Sequence, residues 1–177
     1  CLFKEFIALS ALSTLEASIA DAPIIAAATL GIIPVAIVIT VNKNIAKGNL
    51  IIAVPSNGLH SNGYSLVRYI LRKKKININK NNFLKKELIR PTKIYSNEIL
   101  KLASKNLITG CANITGGGIP ENLKRVIPKK MCAKINLDQI KSKKIFKWLK
   151  SQGISDEEML KTFNCGVGFC LIAKKTN

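Results

Sequence analysis

Two short polar loops carry residue types at a spacing that suits chemistry. The first is Ser56-Asn57-Gly58-Leu59-His60-Ser61-Asn62-Gly63, which follows a brief apolar run and precedes a helical pattern. Backbone amides in the first turn of a helix lack partners, so His60, Ser61 and Asn62 at such an entrance suit an anion or a polar substrate. A plain capped turn, with His60 as a satisfied packing partner, accounts for the same residues. The second is Asn113-Ile114-Thr115-Gly116-Gly117-Gly118. Three successive glycines cost conformational entropy. Close approach of the backbone to a ligand phosphate would offset that cost; the competing explanation is a tight turn that needs positive φ. A helix starting near Pro120-Glu121 would aim its N-terminus at the ligand. No Gly-Lys-Ser/Thr follows, so the loop is not a Walker loop, and its spacing is not a dinucleotide fingerprint.

Glu121 and Asn122 come directly after the glycines. Glu121 suits metal binding or the positioning of an amide, and equally a carboxylate that favours the helix dipole. His60 is the single histidine of the chain, so any histidine acid/base step falls to it, and a His-rich metal site is excluded. No Ser/His/Asp arrangement is defensible, and no metal-ligating residues are assigned. Cys165, between Asn164 and Gly166, reads as a small packed side chain rather than a nucleophile.

The elements that must position these loops alternate along the chain. Leu50 to Val54 is a short strand ended by Pro55, after a turn at Lys47-Gly48-Asn49. Leu66, Val67, Ile70 and Leu71 mark one face of a helix running into Arg72-Lys73-Lys74-Lys75. Residues 73–86, rich in Lys and Asn, read as a surface loop. Pro91 precedes a helix carrying Ile94, Tyr95, Ile99, Leu100 and Leu102. Leu107 to Ile114 is a strand, Pro120 to Val126 a short helix, and Met131 to Leu137 another strand. Ile145, Phe146, Trp148 and Leu149 mark a helix ending at Gly153. Ser155 and Glu158 form a capping box, and Val167 to Ala173 is a last strand. Nearer the start, residues 2–20 read as a helix. The uncharged run 22–41 is long enough for a membrane span, but its β-branched stretch Val35 to Val41 favours a buried strand. The expected class is α/β in the broad sense (mixed α+β), a layered sheet with helices, with a domain boundary near residue 47.

Composition narrows the function classes. The chain has 177 residues, 47% hydrophobic and 21% charged, which suits a globular domain with a true core and excludes disorder, collagen and coiled coil. Its net charge of +18, from 28 Lys+Arg against 10 Asp+Glu, attracts anions. No aromatic-interleaved basic motif accompanies that charge, so no nucleic acid is expected as partner, and with the run 22–41 read as a buried strand no membrane is expected either. The five cysteines match no zinc pattern and no secretory signal precedes them, which points to a reducing cytoplasm. The start at Cys1 without Met, and the stop after Thr176-Asn177, suggest a piece of a longer protein.

Four ordered stretches resemble the phosphoribosylformylglycinamidine cyclo-ligase family, also called aminoimidazole ribonucleotide synthetases. They are Val54 to Arg68 (VPSNGLHSNGYSLVR), Arg90 to Tyr95 (RPTKIY), Ile114 to Leu123 (ITGGGIPENL), and Phe146 to Leu149 with Glu158-Met159 and Thr162 to Gly168 (TFNCGVG). The resemblance implies the fold of that superfamily's C-terminal domain over 48–177. It implies ATP- and Mg²⁺-dependent cyclisation of formylglycinamidine ribonucleotide to aminoimidazole ribonucleotide, in a homodimer joined mainly through N-terminal domains. It places His60 and Asn113 at catalytic positions. Ser61, Asn62, Thr115, Gly116, Gly117, Gly118, Glu121 and Asn122 fall at substrate or phosphate contacts. Three departures stand out. Asn113 occupies a position where the family usually has His. The family's acidic N-terminal ATP-binding motif has no match before residue 47; residues 1–31 match nothing, and 32–46 look like the last strand of that domain. The family also continues past the last strand. The implied outcome is a chain with little or no turnover alone.

Overall fold

The computed structural model describes residues 5–7 and 44–175. Along these the order is β1 (Glu5–Ile7), β2 (Leu50–Pro55), α1 (Tyr64–Lys73), a 3-10 turn at Ile78–Lys80, α2 (Asn82–Leu88), α3 (Ser96–Ser104), β3 (Gly110–Asn113), α4 (Gly118–Lys124), β4 (Cys132–Lys134), a 3-10 turn at Leu137–Gln139, α5 (Lys144–Ser151), α6 (Asp156–Thr162) and β5 (Val167–Ala173). The mixed α/β class expected from the alternation of patterns is the one observed.

β5 is the middle of a three-stranded sheet in the order β2-β5-β3, and both neighbours run antiparallel to it. β2 and β3 therefore point the same way, and the loops that follow them leave the sheet at the same end. This is the feature that brings two distant loops together. Val54, Phe169 and Asn113 form one row across the sheet. Pro55 offers no N–H to the ladder, and the register shifts there so that it faces Val167. β1 pairs antiparallel with β4 in a separate two-stranded sheet.

Period-two alternation along β3 and β5 splits the core into two faces. On one face Cys111, Phe169 and Leu171 meet Tyr95, Ile99 and Ala103 of the α3 region. On the other, Ala112, Ile114, Cys170 and Ile172 meet Ile119 and Leu123 of α4. A third core joins α1, α2, α5 and α6 through Val67, Ile70, Leu84, Phe146, Leu149 and Phe163.

Several expectations are corrected. Residues 73–86 are not a simple loop: they hold a 3-10 turn and most of α2, capped by Asn81, whose side chain accepts from Leu84 N–H. The reason is Leu84, which is fully buried and needs a helix to deliver it to the third core. α3 begins at Ser96, so Ile94 is exposed and Tyr95 enters the core from the residue before the helix. The capping box of α6 is half made. Ser155 Oγ accepts from Glu158 N–H at 3.2 Å, but the Glu158 carboxylate takes the Thr162 hydroxyl instead of reaching back. Within the stretch read as a helix over 2–20, Glu5–Ile7 is a strand, where pairing with β4 supplies the backbone partners. The rest of that stretch and the strand expected at Val35 to Val41 lie outside the described residues.

Candidate functional site

The loop after β2 is held open by its neighbours rather than by its own hydrogen bonds alone. Asn164, fully buried just before β5, binds it from beneath. Its Nδ2 donates to Gly58 O at 2.9 Å, and its Oδ1 accepts from Gly166 N–H at 2.9 Å and lies 3.1 Å from Ser56 Oγ. Ser56 N–H donates to Gly166 O at 2.8 Å. On the outer side Asn57 Nδ2 donates to Pro91 O at 2.8 Å, and Ser61 Oγ sits 3.1 Å from Thr92 Oγ1. Gly63 enters α1 at φ +77°, and a Cβ there would overlap the Phe163 ring, so α1 and Phe163 pack closely only because residue 63 is glycine.

His60 is buried and adopts φ +58°, a left-handed backbone rare for a residue with a side chain. Its Nε2 lies 3.4 Å from Tyr95 Oη, while the Tyr95 hydroxyl donates to Pro55 O at 3.0 Å. The phenol has one hydrogen, already used on Pro55, so it meets His60 as an acceptor. That assigns the imidazole proton to Nε2 and leaves Nδ1 as the acceptor. Burial lowers the His60 pKa from its ordinary 6.5, which keeps the ring neutral near pH 7, and burial pushes the Tyr95 phenol up to about 12. A side chain at position 168 would overlap Tyr95 Oη and come within 3.0 Å of His60 Cε1. Gly168 therefore makes room for this pair.

The loop after β3 divides its labour among the three glycines. Gly117 and Gly118 have φ of +89° and +61°. A Cβ on Gly118 would overlap Leu160 O at the end of α6, and one on Gly117 would stand 2.7 Å from Glu121 Cβ. These two serve the turn and its packing. A Cβ on Gly116 would have one neighbour within 4 Å, Asn62 Oδ1 at 3.8 Å. Asn122, buried, closes the turn. Its Nδ2 donates to Gly118 O at 2.7 Å, with Gly116 O at 3.3 Å and Thr115 O at 3.4 Å, and its Oδ1 accepts from Thr115 Oγ1 at 3.1 Å. Gly118 N–H is taken by Thr115 O. Glu121 is exposed.

The structure thus brings His60, Asn62, Thr115 and Gly116 to one end of the sheet, with Asn113 on the face shared by Phe169 and Tyr95. The side chains of Asn62 and Asn113 bond no described residue. Asn122 is committed to its own loop. Cys165 donates its thiol to Met159 O, and burial with the charge of Asp156 pushes its pKa up to about 12, which suits a packed thiol. Sequence reasoning missed Asn164 and Tyr95. Asn164 had a signal, an amide between the apolar Phe163 and Cys165; Tyr95 was placed on a helix face and at the end of the Arg90–Tyr95 stretch, and neither residue was given a role.

Fold and site define a mixed α/β domain that gathers two glycine-bearing loops at one end of an antiparallel sheet. The family described as "AIR synthase related protein, C-terminal domain" matches residues 46–177, and the chain belongs to that family. Among curated proteins it is 43% identical over 140 residues to a phosphoribosylformylglycinamidine cyclo-ligase of Synechococcus sp. (strain CC9902), covering 75% of this chain and 41% of that protein. A protein of the same name from Prochlorococcus marinus (strain MIT 9312) is 45% identical over 141 residues, 75% of this chain and 40% of that one. Another, from Methylobacillus flagellatus, is 40% identical over 134 residues, 73% of this chain and 39% of that one. The chain thus spans about two fifths of the length of these relatives.

Proposed function

We propose that residues 48–177 are the C-terminal, synthetase-like part of a cyclo-ligase, and residues 1–47 a remnant of its ATP-binding part. In this reading the whole enzyme converts formylglycinamidine ribonucleotide to aminoimidazole ribonucleotide with ATP and Mg²⁺, in the cytoplasm, as a step of purine synthesis. The observation that carries the reading is the approach of Asn62 to Gly116, which makes one site of two loops 54 residues apart.

The described residues do not fit a magnesium–nucleotide group: among them no three His, Cys, Asp or Glu side chains converge on a possible ion. In this reading that group is held by the part of the relatives that this chain does not cover. What the chain supplies is orientation. Asn62 offers a carboxamide to an amide or amidine of the substrate, and neutral His60, two residues earlier in the same loop, keeps Nδ1 as its acceptor nitrogen. Thr115 and the Gly116 backbone form the opposite wall. Asn113 can donate or accept a hydrogen bond there but cannot transfer a proton near neutral pH. The homodimer of the family, in this reading, is joined chiefly outside this chain.

The test replaces the matching part of the Methylobacillus relative with residues 46–177 and measures phosphate release from ATP that depends on formylglycinamidine ribonucleotide. Turnover by the folded chimera, and none by the 177 residues alone, is expected. A folded chimera without turnover overturns the reading. The resemblance seen in the sequence, in which Asn113 takes the place of a His, favours a second reading, a phosphate-binding module without chemistry. If so, Asn113→His in the chimera raises the rate by about 10²-fold or more, the usual worth of a placed acid or base. Equal rates for the chimera with and without the Asn113→His change remove that reading.

A further inference from the structure

We infer that the open cleft between α1 and residues 88–92 binds a phosphate monoester, with Arg68 and Arg90 taking the phosphoryl group. The cleft holds about 510 Å³, enough for a sugar phosphate, and is lined by His60, Ser61, Tyr64, Arg68, Arg90 and Thr92 among others. Two of its lining residues are cationic and none is a carboxylate. Tyr64 and Arg68 are four apart on α1 and so share the cleft face, while Val67, Ile70 and Leu71 turn to the core.

Arg68 has no ion-pair partner among the described residues, and Lys150–Asp156 and Arg90–Glu87 are the ion pairs found there. The Glu87 carboxylate holds one end of the Arg90 fork, Nη2. The Arg90 stem lies across Gly58, where a Cβ would come within 3.2 Å of Arg90 Cδ. Among the described residues, the enclosed side-chain polar atoms without a hydrogen bond are Arg90 Nε and Asn57 Oδ1. Both lie where the first loop meets residues 90–91. An enclosed donor left unpaired is unfavourable, and a modest turn of the guanidinium toward a phosphoryl oxygen supplies the missing acceptor. The wall is already braced without ligand: Tyr64 Oη donates to Leu88 O at 2.7 Å and Asn57 Nδ2 to Pro91 O. A planar fork in a cleft that a second arginine also lines, with the exposed Ser61 and Thr92 hydroxyls on the same lining, matches a phosphate better than a carboxylate or a neutral sugar. The triple-glycine loop suits that task less well, because Gly118 N–H is spent on Thr115 O and Gly117 and Gly118 face protein.

As the seat of the substrate's phosphate the inference rests on the function proposed above; the cleft's affinity for a phosphate ester can be measured apart from it. The 177-residue chain is titrated with ribose 5-phosphate, inorganic phosphate and ribose, followed by calorimetry and by backbone amide shifts. Ribose 5-phosphate is expected to bind and to shift residues 57–68 and 88–92, and ribose is expected to do neither. Arg68→Gln, at an exposed position, should weaken binding about ten-fold or more. Arg90→Lys, which keeps the charge but loses the fork, should weaken it as well. Exposed Lys147→Gln, on α5, should leave it unchanged. Absence of binding, or equal weakening by Lys147→Gln and Arg68→Gln, overturns the inference. A chimera without turnover whose cleft still binds ribose 5-phosphate refutes the enzyme reading alone.

Discussion

Asn62 Oδ1 lies 3.8 Å from the place a Cβ would occupy on Gly116, and that space separates two loops reached from different strands. Gly116 is the member of the triple-glycine run that faces the other loop. The other two face protein, which makes the three positions separable by substitution.

Gly118→Ala should destabilise the domain by roughly 3 kcal/mol or more, because the new Cβ meets the rigid Leu160 carbonyl at a left-handed φ. Gly116→Ala, outside the left-handed region and with one distant neighbour, should change stability by under about 1 kcal/mol. It should nevertheless impair substrate binding in the chimera, since it fills the gap beside Asn62. Urea denaturation measures the first pair of effects and KM the third. Equal destabilisation by both variants contradicts this division.

Asn164→Leu should cost roughly 3 kcal/mol, since it leaves Gly166 N–H without its buried acceptor and removes one of the two side-chain donors to Gly58 O, the other being Ser56 Oγ. Amide exchange should speed up first in residues 56–63, which that side chain anchors. A variant as stable as the wild type, with unchanged exchange in the loop, rejects the anchoring role.

His60 should make stability pH-dependent on the acid side. Its folded pKa lies below its ordinary 6.5, so below about pH 6.5 the unfolded chain binds a proton that the folded chain resists. Stability from this group is present above that pH and falls as pH drops through it. Denaturation at pH 7.5 and 5.5 should show the loss, and His60→Gln should reduce it. Nitrogen NMR of the ring should find the Nε2–H tautomer, and Tyr95→Phe should mix the two tautomers by removing the acceptor for that proton.

Of the described cysteines, Cys132 is exposed, whereas Cys111 and Cys170 are buried and Cys165 is half-buried with its thiol on Met159 O. Burial pushes the thiols of Cys111, Cys165 and Cys170 up to about 12. Iodoacetamide at pH 8 should modify Cys132 in the folded protein and the other three only after denaturation, as peptide mass mapping can show.

Much of the site was readable because it is locally encoded. The apolar run ended by Pro55, the polar loop 56–63, the glycines at 116–118 and the strand Val167 to Ala173 each depend on residues within a few positions. α2 was not readable, since a Lys- and Asn-rich stretch shows helix only when buried Leu84 finds its core. The role of Tyr95 was hidden for the same reason: its partners, Pro55 and His60, lie 40 and 35 residues away.

The sequence by itself determined which segments turn, which alternate, and where side chains are absent. Only the tertiary structure decided that both loops leave the sheet at one end, because that follows from β2 and β3 running antiparallel to the same strand β5. It also decided which glycine faces a partner loop and which faces packed protein. Local periodicity reports a residue's own conformation; what stands opposite it depends on strand pairing between residues as far apart as Leu50 and Ala173 or Gly110 and Ile172, which no short window of sequence contains.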